Sequence, residues 1–151
     1  MKFMKIGLLA SVGANVGMGH YVRARSFGDT AVKLGHEAKA FAFSDKISAE
    51  LDICPGRCKF ENYSSIEQCI ENLLFFGPDV IVLDLPGVPQ EAARRLKASG
   101  ACIVCLSPSF TPKSIVDIAF FRADVKGWPE STKIYAGIEY CILSDSLEHV
   151  S

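Results

Sequence analysis

The segment from residue 13 to residue 23 combines glycines, a histidine and an arginine at short spacing. Gly17 and Gly19 precede His20, and Arg23 follows one helical turn later. Glycine lets the backbone approach a ligand, and a helix amino terminus supplies unpaired N–H donors and a positive dipole. That dipole favours a neutral imidazole, which can act as a general base. We therefore expect His20 to be catalytic, and we expect these residues to bind substrate: Gly13, Asn15, Gly17, Gly19 and Arg23.

Two later positions could contribute to the same site. Asp84 ends the apolar run of residues 79–84, and Ser107 follows the run of residues 101–106. If both runs are parallel strands, their carboxyl ends meet at one edge of the sheet, where ligands of such folds bind. We therefore expect Asp84 and Ser107 to be substrate-binding. Each of these residues also has a non-functional interpretation. His20 is then a structural residue, Arg23 a solvated charge, and Asp84 a helix cap or a loop charge.

The elements that must position these side chains alternate between strand and helix. Apolar runs bounded by glycine, proline or acids predict strands, and helical spacing of apolar residues predicts helices. The predicted strands cover residues 4–11, 37–43, 58–61, 79–84, 101–106 and 140–143; the predicted helices cover 20–34, 45–51, 64–76 and 89–99; residues 115–121 fit either. This alternation predicts an α/β Rossmann-like three-layer sandwich with a mostly parallel sheet.

The first helix has an apolar stripe that sets the direction of the histidine. Ala24, Phe27, Ala31 and Leu34 share one face, which we expect to pack on the sheet. His20 continues that face by one turn, so the imidazole is expected to point inward over the ends of the strands.

Length and charge restrict the classes of function. The chain has 151 residues, which fits a single domain over residues 1–151, and its net charge is −1 from 16 basic and 17 acidic residues. This balance predicts neither a broad basic surface for nucleic acid nor a polybasic membrane patch. No stretch approaches the roughly 20 apolar residues of a membrane span. Lys2 and Lys5 precede an apolar run that is more typical of a buried strand than of a signal peptide, so we expect a cytoplasmic protein.

The six cysteines do not predict a metal centre. Cys102 and Cys105 are spaced as C-x-x-C, but they lie within a predicted strand. Residues three apart on a strand face opposite sides of the sheet and cannot share a metal ion. We expect free thiols, no bound metal and no cofactor.

The string Gly17-Met-Gly19-His20-Tyr-Val-Arg23 resembles the G-x-G-H-x-x-R motif of the UDP-sugar hydrolases of the pseudaminic-acid pathway, which belong to the wider glycosyltransferase-B architecture. Residues 79–84 resemble that family's strand ending in an acid, and residues 136–143 resemble its G-P-x-Y-x-x-L segment. The resemblance implies that His20 is the base toward water, that Arg23 orients groups or binds an anion, and that Asp84 accepts a sugar hydroxyl.

The chain also departs from that pattern. Leu-Ser-Pro-Ser at 106–109 stands where the family commonly has paired acids, and Ile138 replaces a proline. The architecture needs a nucleotide-binding C-terminal domain, which we expect a further domain or a partner subunit to supply. The expected function is the sugar- or acceptor-binding N-terminal domain of a nucleotide-sugar hydrolase or glycosyltransferase, and the expected partner is a nucleotide-sugar or a sugar acceptor.

Two other functions stay open. A non-catalytic sugar- or partner-binding module would expose an apolar face, for which the candidates are Phe110, Phe120, Phe121 and Trp128, although burial in the core is the alternative expected for Phe120 and Phe121. A dinucleotide-binding oxidoreductase domain would use the same turn. However, the glycine spacing is not G-x-G-x-x-G, and Asp45 is the acid nearest the end of strand two.

Overall fold

A computed structural model describes residues 2–12, 19–44 and 57–140 of the chain. These residues form strands, three α-helices and two short 3-10 helices in nearly strict alternation. The elements are β1 (Lys5–Ser11), α1 (Gly19–Lys33), β2 (Glu37–Phe43), β3 (Lys59–Tyr63), α2 (Ile66–Phe76), β4 (Val80–Asp84), α3 (Gln90–Ala98), β5 (Cys102–Cys105), a 3-10 helix (Lys113–Ile115), β6 (Ile118–Phe121), β7 (Lys133–Ala136) and a 3-10 helix (Ile138–Tyr140).

All pairings in the sheet are parallel, and the strand order is β3-β2-β1-β4-β5-β6-β7. The order runs outward in opposite directions from β1 and β4, so the connections reverse direction between these two strands. In open parallel sheets such a reversal leaves a crevice beyond the carboxyl ends of the strands. Ala10 of β1 lies beside Asp84 of β4 at that point.

Helices cover both faces of the sheet and form the expected three layers. On one face, Leu73 of α2 and Leu96 of α3 pack in the larger core with Leu83 of β4. On the other face, Ala24 and Ala31 of α1 pack against the aliphatic residues of β1 and β2. The α/β Rossmann-like prediction is therefore confirmed.

The sheet-facing stripe of helix α1 ends one residue earlier along the pattern than predicted, because Leu34 lies beyond the helix. Leu34 is 58% exposed, so its expected place against the sheet is wrong. The helix ends at Lys33, and Gly35 then turns the chain toward β2 with a φ of 93°. At Gly28 a Cβ atom would come within 2.6 Å of the Cys58 sulfur. The absence of a side chain at Gly28 therefore lets the helix approach the residue that precedes β3.

The end of the described chain differs from the prediction. Residues 115–121 divide into a 3-10 helix and β6, whereas Tyr140 lies in the second 3-10 helix and not in a strand. Strand β7, at residues 133–136, was missed because it is a partly exposed edge strand without a continuous apolar run. The predicted helix at 45–51 and residues 141–143 of the predicted last strand lie outside the described residues.

The two cysteines of the C-x-x-C sequence face opposite sides of the sheet, as predicted. Cys105 belongs to the core beneath α2 and α3, while Cys102 packs against the core beneath α1. Both are free thiols.

Candidate functional site

A buried carboxylate stands at the end of β4, next to the point where the strand order reverses. Asp84 is 1% exposed, and it neighbours Ala10 of β1. Side chains alternate along a strand, so Asp84 shares the face of Val82, which packs in the core beneath α1. The carboxylate therefore points to the sheet face that carries the amino-terminal end of α1.

Two side chains from the start of α1 direct N–H groups at this carboxylate. His20 Nδ1 lies 2.5 Å from Asp84 Oδ1, Arg23 Nε lies 2.8 Å from Oδ2, and Arg23 Nη2 lies 2.9 Å from Oδ1. A buried charge is costly unless it is paired and hydrogen-bonded. The arginine fork supplies the opposite charge, and both carboxylate oxygens have partners.

The hydrogen-bonding capacities of the three groups determine the tautomer of His20. An ionised carboxylate only accepts hydrogen bonds, so Nδ1 must carry the proton that it donates to Asp84. In a neutral imidazole, Nε2 then has the unprotonated lone pair. Arg23 Nη2 lies 3.0 Å from the same Nδ1, but it only donates, and its proton is accepted by Asp84 Oδ1. The result is an imidazole held by a carboxylate, the arrangement that directs a base toward a substrate proton.

The positions of His20 and Arg23 in α1 explain how they reach one carboxylate. Helix α1 begins at Gly19, and residues three apart in a helix lie on the same side. The His20 side chain is 16% exposed, whereas that of Asp84 is 1% exposed. The imidazole therefore remains accessible to a ligand while its anchor is shielded from water.

The remaining predicted site residues are Ser107 and those of the glycine-rich turn. Ser107 follows β5 at the same edge and is buried, with its hydroxyl 3.3 Å from that of Ser109. Among the described residues it makes no recorded hydrogen bond to the cluster of His20, Arg23 and Asp84. Gly19 is the first residue of α1. The expected substrate contacts at Gly13, Asn15 and Gly17 lie outside the described residues.

The structure adds Ser11, which the sequence reasoning did not select. This residue ends β1 and is buried, and its hydroxyl has no hydrogen-bond partner in the described part of the chain. Its place, at the last position of a strand that leads into a glycine-rich turn, is the signal that could have drawn attention to it.

The loops after β4 and β5 are bound to each other at this edge. The backbone N–H of Val88 donates to the carbonyl of Thr111 at 3.1 Å, and the N–H of Thr111 donates to the carbonyl of Pro86 at 3.1 Å. A Cβ atom at Gly87 would lie 2.7 Å from the Thr111 carbonyl oxygen. These contacts fix the two loops against each other.

The nearest thiol at this edge is a structural group. Cys105 donates its S–H to the carbonyl of Ser107 at 3.2 Å, and burial raises the pKa of this thiol to about 12. Such a group stays protonated at neutral pH and is a poor nucleophile. Within residues 2–12, 19–44 and 57–140 there is no group of three histidine, cysteine or acidic side chains that could hold a metal ion.

The apolar face suggested for a binding module does not form. Phe110 and Phe121 are 0% and 3% exposed, and Trp128 packs its ring against that of Phe121 at 5.1 Å. Phe120 is half-buried and stacks on Tyr135. Burial of Phe120 and Phe121 was expected, and alternation along β6 directs them to the two covered faces of the sheet, while Phe110 lies in the core without belonging to a strand. No helix of the described residues is long and apolar enough to cross a membrane.

Comparisons with known proteins show a likeness of fold. No protein-family model matches the chain. No curated protein matches it either. Among solved structures, an alpha-glucosyltransferase in complex with UDP matches at 11% identity with a TM-score of 0.51, over 88% of this chain and 43% of that one. The glycosyltransferase TcCGT1 in complex with UDP matches at 13% identity with a TM-score of 0.50, over 70% and 28% of the two chains.

A third match is an oxidoreductase from Thermotoga maritima, at 18% identity with a TM-score of 0.44, over 76% of this chain and 32% of that one. The chain thus spans less than half the length of each of these proteins. At these identities the two UDP complexes show a shared α/β Rossmann-like fold.

Proposed function

We propose that this chain is the sugar- or acceptor-binding N-terminal part of a nucleotide-sugar enzyme, a hydrolase or a glycosyltransferase, in which His20 is the general base. The observation that carries the proposal is the 2.5 Å contact between His20 Nδ1 and the buried Asp84, at the reversal point of the sheet. The fold shared with two UDP-bound glycosyltransferases supports the substrate class, as does the G-x-G-H-x-x-R pattern ending at Arg23.

In this proposal the base acts through Nε2. For hydrolysis, Nε2 takes a proton from water as its oxygen attacks the anomeric carbon, and the bond from that carbon to the phosphate oxygen breaks with its electrons on the leaving UDP. For transfer, Nε2 takes the proton of an acceptor hydroxyl instead. Asp84 keeps the ring in the required tautomer and stabilises the imidazolium that forms.

Asp84 has a different role in this proposal from that of a sugar-hydroxyl acceptor. Its oxygens already accept N–H groups from His20 and Arg23, and its side chain is 1% exposed. It is therefore proposed as a positioning residue, and Arg23 as its ion-pair partner. Ser107 and the turn at Gly13, Asn15, Gly17 and Gly19 remain proposed substrate contacts. The nucleotide is proposed to bind on a further domain or a partner subunit.

The first test is a turnover assay on the complete gene product, with a panel of UDP-sugars and with UDP release as the readout. His20→Ala should lower kcat by roughly 10²- to 10⁴-fold because it removes the base. His36→Ala is the matched control, since His36 lies before β2 at the opposite edge and should leave turnover near that of the wild type. Equal turnover of the folded His20→Ala protein and the wild type would remove His20 from the mechanism.

Asp84→Asn separates positioning from binding. The amide cannot stabilise an imidazolium as a carboxylate does, so we expect kcat to fall while KM changes little. A rise in KM with kcat unchanged would instead assign Asp84 to substrate binding.

The same assay on the wild-type protein distinguishes the two reactions. A requirement for an added acceptor would identify transfer, and UDP release without an acceptor would identify hydrolysis.

The binding-module alternative predicts a different outcome. Saturable binding of a sugar without UDP release from any donor would support a non-catalytic module. Saturable binding of NAD would favour the oxidoreductase alternative.

A further inference from the structure

The edge of the sheet opposite the His20 cluster carries large apolar side chains that project into solvent. Phe3 precedes β1, Leu34 follows α1, and Phe75 lies in the last turn of α2; their exposed fractions are 59%, 58% and 92%. The strands are parallel and each helix leads back to the start of a strand, so these three sites share the amino edge of the sheet. Single exposed apolar residues are ordinary, but a group of them marks a contact surface.

An open groove of about 550 Å³ lies at this amino edge. Phe3, Val32 and Phe76 supply apolar walls from the N-terminal segment, α1 and α2. Lys39, Arg57 and Lys59 supply basic side chains from β2 and from the start of β3. Phe3 belongs to both the exposed apolar group and the groove, and Phe76 of the groove wall follows Phe75 in α2, so the two features adjoin at this edge.

Positive charge predominates along this groove. Arg57 and Lys59 are exposed, and neither has an ion-pair partner within the described ranges. Lys39 is paired with Glu61 at 2.5 Å, so it contributes less, and Glu37 is an acid that lines the groove. Lys5 lies over the ring of Phe76 at 4.5 Å, and the carboxylate of Asp79, which accepts the backbone N–H of Lys5, offsets this cation, so the excess comes from Arg57 and Lys59. The near-neutral net charge of the chain conceals this local excess.

We propose that the amino edge of the sheet binds the surface of a membrane that contains anionic lipids. Phe3, Leu34 and Phe75 would enter the interface between head groups and acyl chains, while Arg57 and Lys59 would contact lipid phosphates. Projecting apolar residues beside cations are the pattern of interfacial membrane binding. An acidic peptide is less favoured, because its apolar contacts would lie inside a groove, whereas Leu34 and Phe75 project outside it.

This orientation has a consequence for the candidate site. The amino and carboxyl edges of a parallel sheet are opposite, so binding by the first leaves His20 facing away from the lipid. The membrane proposal does not depend on the proposed catalytic function, and a His20→Ala protein should bind vesicles as the wild type does.

The test is cosedimentation of the purified 151-residue chain with vesicles of phosphatidylglycerol and phosphatidylcholine, compared with vesicles of phosphatidylcholine alone. Binding should require the anionic lipid and weaken as salt rises from roughly 0.1 M to 1 M, because the charges are exposed. Arg57→Glu with Lys59→Glu should lower the partition coefficient at least about tenfold. Phe3→Ser with Leu34→Ser and Phe75→Ser should lower it similarly.

Matched variants exclude a general charge or surface effect. Arg122→Glu with Lys126→Glu reverses the same residue types on the exposed connection between β6 and β7, and it should leave binding unchanged. Ile138→Ser removes an apolar residue that is 83% exposed near the opposite edge, and it too should have no effect. Equal losses in these controls would overturn the proposal. So would a failure to bind anionic vesicles at low salt, binding to poly-glutamate but not to vesicles, or self-association that depends on Phe75.

Discussion

At the scale of single residues, the candidate site depends on how a buried charge is satisfied. Asp84 is almost fully shielded, and within the described residues its oxygens accept hydrogen bonds from His20 and Arg23 at the start of α1. The ion pair with Arg23 therefore compensates a buried charge and also joins α1 to β4. By contrast, the exposed ion pair of Arg94 with Glu91 connects two residues of the same helix.

This difference predicts unequal effects of two arginine substitutions. Arg23→Ala leaves the carboxylate of Asp84 buried with a neutral partner, so it should lower the free energy of unfolding by about 1–3 kcal/mol, the value being reduced because Arg23 is 35% exposed. Arg94→Ala removes an exposed pair and should have little effect. Urea denaturation measures both, and equal effects would contradict the burial argument.

The double variant provides an internal check. Arg23→Ala combined with Asp84→Ala removes both charges, so the combined loss should be smaller than the sum of the single losses. Additive losses would show that the two side chains do not interact in solution.

At the scale of elements, the site is set by the close approach of α1 to the sheet. His20 and Arg23 reach Asp84 because the helix rests on the core residues of β1 and β2. Gly28 permits this distance at the middle of the helix, where a Cβ atom would lie 2.6 Å from the Cys58 sulfur and 2.9 Å from its Cβ. Helix propensity alone would favour alanine at position 28, but the close packing leaves room only for glycine.

Gly28→Ala should accordingly destabilise the protein. Alanine favours a helix by about 1 kcal/mol over glycine, but overpacking of a close contact costs about 1–3 kcal/mol. We expect a net loss of stability in thermal or urea unfolding. A gain would show that α1 shifts at no cost.

Cys58→Ala tests whether the Cys58 sulfur causes the loss of stability expected for Gly28→Ala. It removes the sulfur but keeps the Cβ atom, so Gly28→Ala should be less harmful when introduced into Cys58→Ala than into the wild type. An unchanged penalty would assign the clash to the Cβ atom of residue 58, which this substitution retains.

At the scale of the whole molecule, two cores on the faces of one sheet enclose several thiols. Burial raises the pKa of Cys58, Cys69 and Cys105 from 9.0 to about 12 in each case. Between these values the unfolded chain releases thiol protons that the folded chain retains. Stability is therefore fully present below about pH 9 and is lost as the pH rises toward 12.

The slope should be large enough to measure. Each such thiol contributes about 1.4 kcal/mol of lost stability per pH unit within the window. Urea unfolding at a series of pH values from 7 to 11 should show the decline, and Cys69→Ala should make it shallower. A variant with the same slope as the wild type would contradict the contribution of this thiol.

The sequence by itself determined the class of fold and the residue types at the candidate site. Continuous apolar strands alternating with helices require a sheet covered on both faces, and the start of α2 at Ser65 follows from local capping, since its hydroxyl accepts the N–H of Gln68. The types and spacing of His20 and Arg23 likewise depend only on helix geometry. Such features are local, so one chain segment suffices to predict them.

Only the tertiary structure decided what these groups contact. Asp84 is distant from His20 in the chain, and the neighbouring positions of β1 and β4 bring the two together. The same non-local pairing placed Phe3, Leu34 and Phe75 at one edge of the sheet. It also brought basic side chains together in one groove, although the net charge of the chain is near zero. The edge strand β7 was missed for a related reason, because its pairing with β6, and not its own hydrophobicity, makes it a strand. Contacts between distant segments depend on strand order, which hydrophobic periodicity along the chain does not encode.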